Sequence, residues 1–335
     1  MGFEVQRAGD NLFFRAFEAP GPTLLFNSHL DTVPACGGWT REPNRMTRVG
    51  DRLYGLGAND AKGCVTALLE AALILRTRYA DEGAPGTLWV AFTAQEETGG
   101  QGIENVMARL PRPDAAVVGE PTGCRPVLAQ KGLLVLKGSA RGVAGHAAHA
   151  ARDGARNAVH MAAADVARLA GFEESGAEVL GTPHPMLGPV TVQVTMISGG
   201  HARNAVPDSC DFWVDVRTNP GTDPRALAAR IGEGLQSEIT VHSARLRAME
   251  TPPASAVARA AVEATGCPAE GSRTTSDWVH LGDVPTVKIG PGETSRSHRA
   301  DEFVTGAELQ RGAQVYAGLA RRYFAAARKE HPSWQ

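Results

Sequence analysis

The sequence lacks several features that would assign it to a specialised class of protein. Its five cysteines are odd in number, widely spread and free of CxxC spacing, which predicts reduced thiols rather than a disulfide framework or a thiolate zinc site. The formal net charge of -2 comes from interspersed charges of both signs, with no basic block and no acidic tail. We therefore expect no nucleic-acid partner.

Long apolar runs are also missing. Residues 71–75 and 88–92 are among the longest, far below the roughly 20 residues that a transmembrane helix needs. No signal peptide opens the sequence. The sequence thus predicts a cytoplasmic protein that does not contact a membrane.

The length and the hydrophobic pattern predict two domains, because 335 residues exceed what one hydrophobic core usually supports. Buried-strand patterns at 24–27, 88–92 and 115–119 alternate with helical patterns such as 61–79, which is typical of an α/β layer structure. The same texture returns late in the chain, with a strand pattern at 287–289.

The middle of the chain has a different texture. Alternating, half-exposed strand patterns at 133–138, 190–197 and 211–217 flank a helical stretch at 155–169. This pattern indicates a small antiparallel sheet with helices. We predict a catalytic domain formed by residues 1–132 and 247–335 and interrupted by a smaller α+β domain at 133–246.

Candidate metal ligands follow the buried strands. His29 and Asp31 follow the first strand, Glu96 and Glu97 the next, and Glu120 a third. Because open α/β sheets bind ligands beyond the carboxyl ends of their strands, these side chains are expected to converge. Adjacent acids after an apolar run also indicate a compensating cation or proton.

Three further candidates lie elsewhere. Asp60 stands in a glycine-rich loop before a helix, His298 follows a Gly-Pro-Gly turn, and His146 lies between Gly145 and Ala147 in the middle domain. Two histidines with several carboxylates form the mixed nitrogen and oxygen set that zinc, cobalt or manganese accepts. The sequence predicts a site for two divalent ions, with zinc as the first choice.

Each motif alone also has an ordinary explanation. His29 and Asp31 would suit a polar strand end, Asp60 a helix N-cap, and Glu96 with Glu97 a solvated acidic pair. Glu120 would suit a turn. One shared metal site accounts for all of these positions together, and we favour it for that reason.

The residue types also predict roles. In an extended segment His29 and Asp31 leave the same face, so the carboxylate can orient the imidazole. One of Glu96 and Glu97 can bind metal while the other takes a proton from water. Arg217 and Asn204 are candidates for holding a substrate carboxylate. His149 competes with His146 for any functional role.

In order and content, these motifs resemble the M20 metallopeptidase family over nearly the whole chain. The resemblance implies a zinc-peptidase-like catalytic domain with a central mixed sheet and an inserted dimerisation, or lid, domain. It also implies the metal ligands: His29 and Glu120 on one metal, His298 and Glu97 on the other, and Asp60 bridging both. Glu96 would be the general base, and Asp31 would orient His29. The resemblance further implies a homodimer in which His146 stabilises the oxyanion in the site of the partner subunit.

Within that family, segments 27–29, 55–60, 130–136 and 295–303 are similar to those of acetylornithine deacetylases. This similarity implies hydrolysis of a small N-acyl amino acid, N-acetylornithine, in arginine biosynthesis. A succinyl-diaminopimelate desuccinylase and a broad aminoacylase or dipeptidase remain alternatives with the same metal site. A non-catalytic binding module is a third alternative, against which Glu96 argues, because a binding protein needs no base.

The chain departs from the family pattern in two places. It begins at an expected strand, residues 3–6, without the leading helical segment common in the family. Gln95 stands where many relatives carry an acid before the glutamate pair. The second departure changes no expected ligand.

Overall fold

The structure is a computed structural model that describes residues 2–172 and 177–330. It divides into two compact units. Unit 1 comprises Met1–Leu128, Glu250–Glu270 and Ser276–Gln335, and unit 2 comprises Ala129–Met249 and Gly271–Thr275. The α/β class and the central mixed sheet predicted from the sequence are confirmed.

Strands and α-helices succeed one another along the described part of the chain. The strands are β1 (Gln6–Ala8), β2 (Asn11–Phe17), β3 (Thr23–His29), β4 (Thr47–Val49), β5 (Arg52–Tyr54), β6 (Thr87–Thr93), β7 (Ala115–Val118), β8 (Val127–Gln130), β9 (Gly132–Arg141), β10 (Gly145–His146), β11 (Thr191–Gly199), β12 (Ala205–Val206), β13 (Ser209–Thr218), β14 (Glu238–Leu246), β15 (Met249–Glu250), β16 (Glu270–Ser272), β17 (Thr286–Lys288) and β18 (Phe303–Thr305). The α-helices are α1 (Gly63–Glu82), α2 (Gln101–Met107), α3 (Ala158–Ala170), α4 (Ala177–Leu180), α5 (Pro224–Gly232), α6 (Ala256–Thr265) and α7 (Gly306–Glu330).

The large sheet of unit 1 is mixed. Seven of the nine strands described in this sheet follow the order β1-β2-β6-β3-β7-β17-β8. The four central strands β6, β3, β7 and β17 are parallel, whereas β2 and β8 run antiparallel at their sides. The carboxyl ends of the parallel strands therefore meet at one edge of the sheet, where an open α/β fold places its ligands.

The central strands are covered on both faces. In β3 and β6 every residue after the first threonine is buried. Continuous burial is typical of parallel strands because helices cover both sides of the sheet. Helices α1 and α6 both pack against the long closing helix α7, and α2 contacts β2 and β6. This core fixes the edge of the sheet from which the candidate ligands project.

The start of the chain corrects one expectation. The predicted first strand at 3–6 is displaced, because the strand observed is β1, which forms an antiparallel hairpin with β2. Gly9 makes the turn possible with a φ of 63°, a left-handed conformation that glycine adopts without steric cost. A pattern of alternating residues cannot locate such a turn when the first strand has only three residues.

Unit 2 contains an antiparallel four-stranded sheet with the order β11-β13-β9-β14. Residues of β9 and β13 alternate between buried and partly exposed positions, so one face of the sheet packs on a core and the other does not. Helix α3 packs against β9, β11 and β13. Its N-cap Asn157 accepts the backbone N–H groups of Val159 and His160, a bond that typically stabilises a helix by about 1 kcal/mol.

None of the helices in the described part of the chain combines the length and the apolar character needed to cross a membrane.

Candidate metal centre

His29 ends β3 and is held at both ring nitrogens. Its side chain is only 2% exposed. Nδ1 lies 3.1 Å from the main-chain oxygen of Asp31, and Nε2 lies 3.1 Å from Oδ1 of Asp60. A proton on Nδ1 can be donated to the Asp31 carbonyl, which leaves the lone pair of Nε2 for a cation beside Asp60.

Asp31 makes contacts on two sides, and those to the loop after β6 were not predicted from the sequence. Its carboxylate lies 3.6 Å from His29 Nδ1, farther than the main-chain oxygen at 3.1 Å, so the nearer acceptor for the ring is the carbonyl and not the carboxylate that the spacing predicted. The same carboxylate accepts the backbone N–H of Glu96 at 3.2 Å and of Glu97 at 3.1 Å. Asp31 therefore fixes the loop after β6 as well as the imidazole. Gln95, with a φ of 72°, gives this loop its sharp bend.

Asp60 does not cap the following helix. It lies in an irregular turn, Ala58–Lys62, where its φ of -121° and ψ of 93° are non-helical, and α1 begins only at Gly63. Its side chain, 13% exposed, points instead at two histidines. Oδ1 lies 3.1 Å from His29 Nε2 and Oδ2 lies 3.7 Å from His298 Nε2. One carboxylate thus presents a different oxygen to each imidazole.

His298 reaches the site from the loop after β17. Its Nε2 lies 3.0 Å from Oε1 of Glu97, and its side chain is half exposed. The residue has a φ of 60°, a conformation uncommon for a residue other than glycine. One potential ligand atom from each of His29, Asp60 and Glu97 lies within 4.8 Å of the other two, so the three side chains could hold one metal ion together.

Glu120 and Glu96 complete the acidic lining. Burial raises the pKa of Glu120 to about 8, although the positive charge of His29 opposes this. Burial and the charge of Glu120 raise the pKa of Glu96 well above its ordinary value, and burial with the charge of Asp60 raises that of Glu97. These carboxylates are close together and withdrawn from water, with too little positive charge beside them.

The pKa of His29 also reflects the excess of negative charge in the site. Burial lowers the pKa of His29, but hydrogen bonds to Asp31 and Asp60 and the charges of Glu120 and Glu96 outweigh it and raise the pKa to about 12. Divalent cations would supply the missing positive charge, and histidine nitrogen with carboxylate oxygen is a donor set that zinc, cobalt and manganese accept. The residues present therefore fit a metal centre.

Three buried side chains near the centre were not predicted from the sequence. Glu302 is 4% exposed, Lys288 3% and Asp277 2%. Asp277 accepts a hydrogen bond from the hydroxyl group of Thr93 at 2.6 Å. Lys288 ends β17, and the negative charge of Glu120 attracts its ammonium group. Lys288 could have been noticed as a charged residue inside an apolar strand pattern. Nothing local marks the other two.

The candidates of the middle domain all lie in unit 2. His146 pairs with Ala205 in the short β10–β12 ladder, and the N–H of Ala147 donates to the carbonyl of Asn204 at 2.9 Å, so His146 and Asn204 are on neighbouring segments. The His149 ring is centred 5.5 Å from that of His146. Arg217 lies in β13 and is paired with Asp215 through two hydrogen bonds.

A mixed α/β unit whose strand ends gather two histidines and at least four carboxylates has the make-up of a metal-dependent hydrolase. Residues 25–322 match the family Peptidase_M20, described as peptidase family M20/M25/M40, and the chain belongs to this family. The members of this family are metal-dependent amidohydrolases that act on small amide substrates.

Curated relatives agree with this assignment, and solved structures share the fold. The acetylornithine deacetylase of Myxococcus xanthus is 32% identical over 313 residues, covering 88% of this chain and 78% of the relative, and that of Klebsiella pneumoniae (strain 342) is 28% identical over 296 residues, covering 84% and 75%. Two solved structures share the fold. Aminopeptidase PepT from Bacillus cereus has a TM-score of 0.74 at 19% identity, covering 93% of this chain and 84% of that one. A dinuclear metal-binding M20 peptidase from Bacillus subtilis has a TM-score of 0.71 at 16% identity, covering 96% and 88%.

Proposed function

We propose that this protein uses two divalent metal ions, zinc in the first place and cobalt or manganese as alternatives, to hydrolyse the amide bond of an N-acyl amino acid. The substrate proposed is N-acetylornithine, which gives ornithine and acetate and places the enzyme in arginine biosynthesis. The curated relatives named acetylornithine deacetylase support this choice. The observation that carries the two-metal proposal is Asp60, whose two oxygens face His29 and His298 separately.

The candidate ligands would be divided between the two ions. His29 and Glu120 would hold one ion, and His298 and Glu97 the other, with Asp60 between them. Bound divalent cations polarise the acyl carbonyl and lower the pKa of an attacking water. Because Glu97 contacts His298 directly, its neighbour Glu96 is the carboxylate left for proton transfer.

Glu96 acts as the general base and then as the general acid. Its carboxylate takes a proton from the water that attacks the acyl carbon. When the C–N bond breaks, the same carboxyl group returns that proton to the departing amine. Burial and the charge of Glu120 raise the pKa of Glu96, and a higher pKa makes the carboxylate a stronger proton acceptor.

Unit 2 supplies groups for the rest of the substrate. His146 would donate a hydrogen bond to the oxyanion that develops during attack, in the site of a partner subunit. Arg217 and Asn204 would hold the substrate carboxylate. Burial, and the charges of Arg273 and Arg217, lower the pKa of Lys131. Lys131 thus interacts with Arg217 and Arg273 in unit 2, and Asp215 balances part of their charge; the remaining positive charge supports binding of an anionic group there.

The proposed homodimer forms through unit 2. Strand β11 lies at the edge of the four-stranded sheet, and its Met196 and Ile197 are 64% and 50% exposed. Exposed apolar side chains on an edge strand favour pairing with another chain. The substitution Ile197→Glu is expected to shift the mass measured by sedimentation towards the monomer. The matched change Val241→Glu, on the opposite edge strand β14, should leave the mass unchanged. A dimer that survives Ile197→Glu contradicts this interface.

The activity is tested by amine release. Metal-free protein is incubated with zinc or cobalt and with either N-acetylornithine or N-succinyl-diaminopimelate, with a chelator as the control. Metal-dependent release from the acetyl substrate supports the proposal. Release from the succinyl substrate alone would make the enzyme a desuccinylase, and release from neither would contradict both assignments.

A further inference from the structure

Glu302 is a buried carboxylate, and its hydrogen bonds within residues 2–172 and 177–330 go to the loop formed by residues 55–60. The residue precedes β18 and is 4% exposed. Oε2 accepts the backbone N–H of Gly57 at 3.0 Å, and Oε1 accepts those of Asn59 and Asp60, both at 2.8 Å. The carbonyl of Glu302 accepts a fourth backbone N–H, that of Gly55, at 3.1 Å.

The loop needs such an acceptor. Asp60 and Ala61 have non-helical dihedral angles, so the amides before α1 cannot all be satisfied by helical hydrogen bonds. A buried amide without a partner costs free energy, whereas hydrogen bonds to an ionised acceptor are among the strongest in proteins. Glu302 therefore sets the path of the backbone that carries Asp60.

The same loop is tied to the segment that carries His298. Oδ1 of Asn59 accepts the N–H of Glu293 at 2.9 Å, and its Nδ2 donates to the Glu293 carbonyl at 3.0 Å and to Ser297 Oγ at 3.3 Å. Glu302 holds the main chain of Asn59, and Asn59 in turn holds the residue next to His298. The backbone of Asp60 and the backbone beside His298 are thus fixed together.

We propose that Glu302 is a positioning residue for the metal centre. Its carboxylate fixes the Asp60 backbone so that the two oxygens of Asp60 face His29 and His298, and it thereby sets the affinity for both cations. The inference depends on the proposed two-metal site, because without cations the orientation of Asp60 would have no binding consequence. It adds a determinant of that affinity which is not itself a ligand.

A matched control exists in unit 2. Asp165 is also a buried carboxylate, 3% exposed, and it accepts the backbone N–H groups of Gln236 at 3.0 Å and Ser237 at 2.8 Å. The substitutions Glu302→Gln and Asp165→Asn both replace one carboxylate oxygen by an NH₂ group that faces N–H donors. Both variants should lose thermal stability. Only the first should lose metal affinity.

The experiment is a Co²⁺ titration of metal-free wild type, Glu302→Gln and Asp165→Asn, followed by visible absorption and equilibrium dialysis. Wild type is expected to bind two ions per chain, and its failure to bind would contradict the proposed function rather than the role of Glu302. Glu302→Gln is expected to bind about 10- to 100-fold more weakly with an altered cobalt spectrum, since losing a group that orients ligands typically has an effect of this size. Asp165→Asn should match wild type in both.

A second variant covers the case in which Glu302→Gln does not fold. Glu302→Asp keeps the charge but shortens the side chain by one methylene, and it should bind Co²⁺ more weakly than wild type while remaining folded. Wild-type affinity in either folded Glu302 variant would overturn the inference. So would an equal loss of affinity in Asp165→Asn, because that would reduce the effect to general destabilisation.

Discussion

The two histidines His29 and His146 are held in different ways. His29 is buried in unit 1 with a hydrogen-bond partner at each ring nitrogen. His146 is exposed on the two-residue strand β10 of unit 2, where Nδ1 accepts the N–H of Ala148 at 3.2 Å. A ring fixed at both ends suits a permanent ligand whose position the fold must set. A ring held at Nδ1 on the surface presents Nε2 to a group that arrives with the substrate.

The largest expected effect is the loss of kcat in Glu96→Gln, a variant that tests catalysis in unit 1 separately from metal binding. Glu96→Gln removes the proposed base but leaves the proposed ligands in place. We expect kcat for amine release to fall by about 10²- to 10⁴-fold while the metal content measured by elemental analysis stays at the wild-type level. The control Glu104→Gln changes an exposed glutamate that pairs with His280 and should retain activity. Substantial turnover by Glu96→Gln would refute its role as the base.

The two histidines themselves give the next largest effect. His29→Ala should abolish tight binding of one ion, because it removes a buried side chain that we propose as a ligand. His146→Ala should keep both ions and lower kcat by about 10²- to 10³-fold, the usual effect of losing one oxyanion donor. Metal titration and steady-state kinetics on both variants distinguish these outcomes.

His149 provides the control for that experiment, because its ring lies next to that of His146. We expect His149→Ala to behave nearly like wild type. If His149→Ala loses kcat and His146→Ala does not, the oxyanion role belongs to His149. Loss of metal from His146→Ala would contradict the proposal that unit 1 binds the metal ions and that His146 of unit 2 acts only on the oxyanion.

A smaller effect is expected at Arg217. Arg217→Met removes a proposed charge-assisted contact to the substrate carboxylate, worth about 1.5–3 kcal/mol, so KM should rise roughly 10- to 100-fold with little change in kcat. Asp215→Asn, which disrupts the ion pair but keeps the arginine, should change KM much less. An equal effect of both variants would indicate that the ion pair is structural.

The smallest effect is a pH dependence of the metal-free protein. The folded state raises the pKa of Glu120 from 4.5 to about 8, so its contribution to stability is lost as pH rises through that range. The pKa of His29 is raised from 6.5 to about 12, so the contribution of its imidazolium is present below pH 6.5 and is also lost as pH rises.

Both groups therefore predict that the Tm of the chelated protein falls between about pH 6 and about pH 8. Added zinc binds the deprotonated ligands, so the increase in Tm that it causes should grow over the same interval. Thermal unfolding with and without zinc at the two pH values provides the measurement. A metal-free Tm that stays constant or rises with pH would contradict the charge balance described for the centre.

Much of the arrangement of the candidate ligands could be predicted because it follows from strand ends. His29 ends β3, and Glu96 and Glu120 follow the neighbouring parallel strands β6 and β7, so the sheet brings the three positions together. Asp60 and His298 stand in loops, and their place beside His29 was expected from resemblance rather than from local pattern. The alternative role of Asp60 as a helix cap was wrong, because the chain reaches α1 through an irregular turn.

The hydrogen bonds that hold the loops of the site in place could not be predicted in the same way. Glu302 acts on backbone amides more than 240 positions earlier in the chain, and amides carry no sequence signal. The two hydrogen bonds that the Asp31 carboxylate accepts from the backbone amides of Glu96 and Glu97 could not be predicted from the sequence for the same reason. The displaced first strand shows a further limit, since three residues are too few for a period to be recognised.

The most direct test of the two-metal centre is anomalous X-ray diffraction at the zinc edge, on crystals grown with zinc. We expect two peaks per chain, one beside His29 and Glu120 and one beside His298 and Glu97, with Asp60 within ligand distance of both. A single peak, no peak, or peaks bound by other residues would contradict the two-metal centre.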